Sequence, residues 1–174
     1  MGVRRVRAAE KEAVYHLADE YSLFYLRWIE GHRASTSGFW VTRRTSPAWR
    51  AWSGLAFEAV CLKRALGIEA VETVESGWRH RPRSRSESGA QVDLLIDRKD
   101  ATINVCEMKL SEAEFTIDKR YAAELREKTV TFRRVTGTKK TLLPTMVTSY
   151  GVRPGIHRDE LVAATVEMPA LFSP

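Results

Sequence analysis

Hydrophobic residues recur at intervals of three and four positions in three long segments, which is the spacing of one helix face. The predicted helices cover residues 7–31, 47–66 and 118–134. The middle helix has clear ends, because Ser46 is a good N-cap, Pro47 suits the first helical position and Gly67 is a typical terminator. Residues 32–46 predict a polar loop between the first two helices.

Five shorter segments predict β-strands, and the second and third of them are rich in Val, Ile and Leu. The strands cover residues 70–78, 91–98, 102–111, 141–150 and 161–168. The turn-like Lys99-Asp100 joins the second and third into a predicted hairpin, whereas residues 79–90 predict a polar loop. The order of elements predicts an α/β or α+β fold, a sheet flanked by helices and preceded by an N-terminal helical extension.

Three charged residues interrupt the predicted hairpin. Asp93 lies in its first strand, and Glu107 and Lys109 lie two positions apart in its second. Because side chains alternate along a strand, Glu107 and Lys109 share one face and Cys106 points to the other. Charges are costly inside apolar strands without a partner or a metal, so the group indicates chemistry. The alternative is an ion pair of Lys109 with Glu107 or Asp93 at the sheet edge.

Glu58 is a further candidate, because it lies inside the apolar helical sequence LAFEAVCL. One interpretation is that it leans toward the sheet and completes an acidic cluster with Asp93 and Glu107. The alternative is that it faces solvent or pairs with Lys63 or Arg64, as helix charges usually do.

Size and composition limit the function classes. The 174 residues fit one domain, or one domain with an appendage, and the hydrophobic fraction of 44% is enough for a core. Apolar runs of the length of a membrane span and of a signal peptide are not found, and the two cysteines lack metal-ligand spacing. A reduced, cytoplasmic protein is therefore expected. The net charge of +6 favours a polyanionic partner.

The placement of the acidic residues resembles a known family. A helix with a central glutamate, a strand aspartate, Glu-X-Lys on the next strand and a following helix resembles the PD-(D/E)XK nuclease superfamily. The match covers residues 47–150, with Val92 in place of the proline that precedes the motif's aspartate. The resemblance implies a restriction-endonuclease-like mixed sheet flanked by helices over residues 47–174, with residues 1–46 as a helical extension and linker.

Four sequence strings carry a closer resemblance. The strings YHLADEYSLFYLRWI, WSGLAFEAVCL, GAQVDLLIDR and INVCEMKLS, followed by IDKRY, resemble the C-terminal region of a group of prokaryotic AAA-type ATPases. In those proteins an ATP-binding module and a winged helix precede a nuclease-like domain. The chain contains no GxxxxGK[ST] phosphate-binding loop. The resemblance implies a C-terminal piece that works with an ATPase in cis or in trans, or a free-standing relative.

The resemblance also implies a role for each acidic residue. Asp93 and Glu107 would bind Mg2+ or Mn2+ through carboxylate oxygens, and the Met108 carbonyl would be a third ligand. Glu58 would bind a second metal ion or orient a metal-bound water. Lys109 would lie near the attacking water or the scissile phosphate and stabilise charge there.

Basic and polar residues around this group are candidates for nucleic-acid contact, since cationic side chains bind phosphate without regard to sequence. The candidates are Gln91, Lys119, Tyr121, Arg79, Arg81, Arg83, Arg85, Lys139 and Lys140. The alternatives are a strand cap for Gln91, an exposed helix start for Lys119 and Tyr121, a solvated loop for the arginines, and favourable charge at a helix C-terminus for the last two.

Three functions follow from these observations. The preferred one is metal-dependent hydrolysis of phosphodiester bonds in nucleic acid, with DNA as the expected substrate. The first alternative is a catalytically weak or inactive module that presents an ATPase to DNA or to a partner protein. The second is an interaction domain that forms a homodimer through its tryptophan-rich helices.

Overall fold

The computed structural model describes residues 19–30, 38–66, 71–82 and 88–172, and the side chains of residues 20, 62–66 and 71–76 are outside that description. The chain divides into two units at the bond between Arg44 and Thr45. Most of the predicted N-terminal helix, together with Arg83 and Arg85 of the predicted basic loop, lies outside the described residues.

The described part of the first unit is helical. Helix α1 spans Glu20–Phe24, is capped by the Asp19 side chain, and continues as one π-helical turn over Tyr25–Ile29. Helix α2 spans Phe39–Arg44, so the prediction of a loop over residues 32–46 is wrong for these six residues. The run Phe-Trp-Val supplies α2 with aromatic contacts, including a stacked Phe24–Trp40 pair with ring centroids 5.4 Å apart, and this local packing outweighs the polar surroundings.

The second unit contains a five-stranded mixed sheet in the order β1-β2-β3-β4-β5. Its strands are β1 Val71–His80, β2 Ala90–Arg98, β3 Thr102–Lys109, β4 Thr141–Thr148 and β5 Ala164–Glu167. The pairs β1–β2 and β2–β3 are antiparallel, and β3–β4 and β4–β5 are parallel. The expected α/β class, with a mixed sheet flanked by helices, is therefore confirmed.

Three helices accompany the sheet: α3 Pro47–Leu66, α4 Lys119–Thr136 and α5 Ile156–Leu161. A short 3-10 turn over Met168–Phe172 follows β5. In the described ranges no helix combines the length and the apolar character needed to cross a membrane.

Several predicted boundaries are wrong, and β3 and β4 each end two residues before the predicted end, at Lys109 and at Thr148. The loop predicted over residues 79–90 is shorter, because β1 continues to His80 and β2 begins at Ala90. The strand predicted over residues 161–168 begins too early, because Leu161 is the last residue of α5. Parallel pairing of β4 with β5 needs a crossover connection, and α5 lies in it.

Helices α3 and α4 cover opposite faces of the sheet. Phe57 and Cys61 of α3 pack with Cys106 and Met108 of β3. Phe132 of α4 packs in a cluster with Ile103 and Val105, the odd-numbered residues of the same strand. The alternation of β3 is thus confirmed, and it directs Glu107 and Lys109 toward the α4 face.

Pairing between β2 and β3 stops short of Asp93. The last paired residues are Leu94 and Cys106, and β3 continues beyond them to Lys109. On the other side of β2, Gly77 lies between the pairs made by Ser76 and Trp78 and has a φ of 67°. Beyond the last paired residues, the Asp93 carboxylate accepts a hydrogen bond from the Met108 NH of β3.

Candidate active site

Glu107 is the most buried charged residue of the described core. Its side chain is 2% exposed, yet it lies in a strand whose neighbours are apolar. Three groups meet its Oε2 atom: the Lys128 ammonium at 2.8 Å, the Tyr121 hydroxyl at 3.3 Å and the Lys109 ammonium at 3.8 Å. Buried charge is tolerated only with such partners, and α4 supplies two of them, Lys128 and Tyr121.

The other carboxylate oxygen of Glu107 is different. Oε1 is fully buried and has no hydrogen-bond partner among the described residues. Burial, and then the charge of Asp93, raise the pKa of Glu107, while Lys128 and Lys109 oppose that shift. A buried carboxylate with one unpaired oxygen and a raised pKa is a site where a further positive charge would be stabilising.

Asp93 is coupled electrostatically to two other acidic residues. Its Oδ2 accepts a hydrogen bond from the Met108 backbone NH at 3.0 Å, in the place where the β2–β3 ladder has ended. Its negative charge raises the pKa of both Glu107 and Glu58. Three acidic residues that are distant in sequence therefore influence one another electrostatically, with Asp93 as the shared member.

The Met108 carbonyl points to the same side as its NH. In a β-strand the NH and C=O of one residue lie on the same edge, and the Met108 NH points to Asp93. The next carbonyl, of Lys109, points the other way and accepts from the Ser149 NH at 3.3 Å. The backbone oxygen expected as a ligand thus faces the gap that contains the Asp93 carboxylate.

Lys109 lies at the open end of the group. Its side chain is 32% exposed, compared with 2% for Glu107, and its Nζ lies 5.4 Å from the centroid of the Tyr121 ring. The ring holds the ammonium by a cation–π contact without consuming its hydrogen-bond donors. Lys109 therefore combines a fixed position with access to solvent.

Glu58 lies on α3 and is coupled electrostatically to the group. It is half-buried on α3, one residue after Phe57, which packs into the core. Burial raises its pKa first, Asp93 adds to that effect, and Lys109 opposes it. The side chains of Lys63 and Arg64, its alternative partners, lie outside the described residues. The charge of Glu58 is thus coupled to Asp93 and Lys109, and its inward orientation stays a prediction.

Two residues of this region were missed in the sequence. Lys128 lies on the face of α4 that carries Tyr121, seven residues earlier, and it bridges Glu107 and the exposed Glu124, with 3.2 Å to the latter. A lysine within the apolar stripe of a helix was the available signal. Thr148, paired with Lys109, has a fully buried hydroxyl without a hydrogen-bond partner among the described residues, and no sequence signal marks it.

The residues fit a hard divalent cation in part. The carboxylates of Asp93 and Glu107 and the Met108 carbonyl are oxygen donors of the type that Mg2+ and Mn2+ prefer. The unpaired Oε1 of Glu107 is the donor with the clearest need of a cation. In the described ranges, His, Cys, Asp and Glu side chains do not gather into a group of three placed to hold a metal ion. Any further ligands would be backbone oxygens or water.

The nucleic-acid candidates are dispersed. Tyr121 joins the site through its hydroxyl, and burial and the charge of Glu107 raise its pKa. Gln91 is exposed and accepts a 2.8 Å hydrogen bond from Arg79, so the structure does not bring it to Asp93. Lys119 is the exposed first residue of α4.

The remaining basic candidates lie at the surface. Arg81 and Lys139 are exposed, whereas the Lys140 ammonium is paired with the Asp97 carboxylate. Among the described residues, these side chains do not form one continuous phosphate-binding group with Lys109.

The two cysteines belong to the core. Cys61 and Cys106 are buried in the cluster between α3 and the sheet, and burial raises the pKa of each thiol to about 12. A thiol with such a pKa is a poor nucleophile at neutral pH. The expectation that Cys106 points away from the acidic group is confirmed, since its cluster lies on the α3 face.

No family model matches the chain, and neither a curated protein nor a solved structure matches it significantly. The case for a function therefore depends on the residues themselves.

Proposed function

We propose that the protein is a metal-dependent nuclease that hydrolyses phosphodiester bonds of DNA, with a restriction-endonuclease-like domain formed by the second unit. The proposed fold is supported by the order of its elements. A helix that carries Glu58 is followed by three antiparallel strands that carry Asp93, Glu107 and Lys109, and then by α4 and a parallel strand.

One observation carries the proposed chemistry: Glu107 is buried with Oε1 unpaired among the described residues, beside Asp93 and the Met108 carbonyl. An apolar residue would fill this position in a purely structural strand at lower cost. A carboxylate here is explained if a cation completes its interactions.

Each side chain then has a distinct task. Asp93 and Glu107 would hold the cation, which supplies charge neutralisation at the phosphate and an acidified water. Lys109 would bind a nonbridging phosphate oxygen or the attacking water, because its ammonium is oriented by Tyr121 and reaches solvent. Glu58 would accept a proton from water on the α3 side, where its raised pKa suits a general base.

A second candidate function is a non-cleaving DNA-binding module for an ATPase. The observation that favours it is the 2.8 Å hydrogen-bonded ion pair between Lys128 and Glu107, which already neutralises the central carboxylate. A site with a purely structural role would contain the same ion pair between Lys128 and Glu107. The two functions differ in what Glu107→Gln does to cleavage and to binding.

The test uses purified full-length chain with single-stranded, duplex and branched DNA in Mg2+, Mn2+ or EDTA. A nuclease cleaves at least one substrate in metal and none in EDTA, and Glu107→Gln and Lys109→Met each lower the rate by about 100-fold or more. Arg126→Met is the matched control, because this exposed arginine pairs with Glu160. DNA binding without cleavage in any metal would favour the module instead.

A further inference from the structure

Two lysines approach one carboxylate oxygen, and they do so differently. Lys128 donates a hydrogen bond to Glu107 Oε2 at 2.8 Å and is 14% exposed. Lys109 lies 3.8 Å from the same atom, is 32% exposed and rests over the Tyr121 ring. Only the first is in hydrogen-bond geometry, so Lys128 is the residue that neutralises Glu107.

We propose that Lys128 is a positioning residue that satisfies Glu107 and thereby leaves Lys109 available to the DNA phosphate. This inference depends on the proposed nuclease function and adds a separate role for each of the two ammonium groups. It assigns the buried lysine to the carboxylate and the exposed lysine to the substrate.

The contacts of Glu107 support this assignment. The contacts that it makes with Lys128, Tyr121 and Lys109 all meet at Oε2, and Oε1, which has no partner among the described residues, is the atom available to a cation. Lys128 is held from its other side by Glu124 at 3.2 Å, one helical turn earlier on α4. The ammonium is therefore fixed between two carboxylates and cannot reach a phosphate without breaking both pairs.

The surroundings of Lys109 support the other half of the assignment. Without Lys128, Lys109 would be the nearest cation to a buried negative charge, and a rotation of its side chain would bring it into direct contact with Oε2. The Lys109 ammonium would then be unavailable to the phosphate, because a buried carboxylate without a paired cation is strongly destabilising. Removal of Lys128 should therefore disable Lys109 as well.

The first experiment measures this coupling by kinetics. Lys128→Met should lower kcat by about 10- to 100-fold, as loss of an orienting contact does, with the affinity for DNA unchanged within about threefold. In the Lys128→Met background, Lys109→Met should cost little more, although it costs about 100-fold alone. Lys128→Arg should recover much of the rate, and Arg126→Met is the control on the same helix, since Arg126 pairs with the distant Glu160.

The second experiment needs neither metal nor activity. Acylation of lysines in the free protein, followed by peptide mass spectrometry, should modify Lys109 faster than Lys128 by about tenfold in the wild type, since burial and ion pairing protect an amine. In Lys128→Met, the rate at Lys109 should fall to about the rate that Lys128 had. If Lys128→Met does not fold, the wild-type comparison and Lys128→Arg still decide the matter.

Three results would overturn the assignment: equal reactivity of the two lysines, additive losses in the double variant, or an unchanged kcat in Lys128→Met. Failure of the nuclease proposal looks different. In that case the wild type shows no metal-dependent cleavage and Lys109→Met changes no rate, whatever the acylation pattern.

Discussion

The two faces of strand β3 are built from alternate residues of one short sequence, yet they differ in kind. On the α3 face, Cys106 and Met108 pack against Phe57 and Cys61 in an apolar cluster. On the α4 face, the strand changes from Val105 to a buried carboxylate at Glu107 and then to Lys109. The contrast shows that the polar group depends on its helix, since α4 contributes both Tyr121 and Lys128 to Glu107.

The comparison predicts that the polar face is the more sensitive to loss of one partner. Lys128→Met should lower the free energy of unfolding by up to about 3–5 kcal/mol, because it removes the hydrogen-bonded cation of a buried carboxylate and Lys109, which lies 3.8 Å away, replaces that contact only in part. Denaturant unfolding would measure this loss. The double variant Glu107→Gln with Lys128→Met should recover a large part of it, and an equally unstable double variant would show that Lys128 acts through packing alone.

The apolar face should respond to volume instead of charge. Met108→Ala should cost about 2–5 kcal/mol through the cavity left between α3 and the sheet. Metal binding should be retained, because the proposed ligand at this position is the backbone carbonyl. Leu55→Ala is the control, since Leu55 lies on α3 and is 66% exposed. This substitution should change the free energy of unfolding by less than about 0.5 kcal/mol. Loss of metal affinity in folded Met108→Ala would contradict the separation of the two faces.

Two threonines on β4 allow a similar comparison, with smaller expected changes in stability. Thr145 Oγ1 accepts a hydrogen bond from Asn104 at 3.0 Å and donates one to the Leu143 carbonyl at 3.1 Å. Thr145→Val should therefore cost about 1–2 kcal/mol. Thr148→Val should be nearly neutral in the metal-free protein, because the Thr148 hydroxyl is buried without a partner among the described residues. Equal losses in thermal unfolding would mean that the Thr148 hydroxyl is satisfied in solution.

The pH dependence of stability has a defined sign at Glu107. Its pKa in the folded protein is raised above the ordinary value of 4.5, chiefly by burial and by Asp93. Folding therefore favours the protonated carboxyl, so this contribution is present below pH 4.5 and is lost as the pH rises through the folded pKa. The difference between the wild-type and Glu107→Gln stability curves should show that fall. A difference that grows with rising pH would contradict it.

The sequence predicted the sheet better than its connections. The hairpin, the faces of Glu107 and Lys109 and the long helices α3 and α4 follow from periodicity and from end signals such as Pro47. The short α2 and α5 carry no periodic signal long enough to detect, and β5 is only Ala164–Glu167. Such elements are set by packing and by the crossover that parallel pairing requires.

Site residues could be predicted where a charged residue interrupts an apolar segment. They could not be predicted where the role of a residue depends on its tertiary contacts. Asp93, Glu107 and Lys109 stand out because charges are unusual in apolar strands. Lys128 lies in the apolar stripe of α4, but its pairing with Glu107 is decided only by the packing of α4 on the sheet, and Thr148 is an ordinary strand residue. The pairing of Gln91 with Arg79 was also beyond the sequence, since it depends on the register between β1 and β2.

The central claim is that Asp93 and Glu107 form a cation site around the unpaired Oε1. Calorimetric titration of Mn2+ into the metal-free wild type, Asp93→Asn and Glu107→Gln tests it most directly. The account predicts saturable binding to the wild type that weakens by at least about tenfold in each variant, while Glu160→Gln, which alters an exposed ion pair with Arg126, binds as the wild type does. Equal Mn2+ affinity in all four proteins, or none in the wild type, would contradict it.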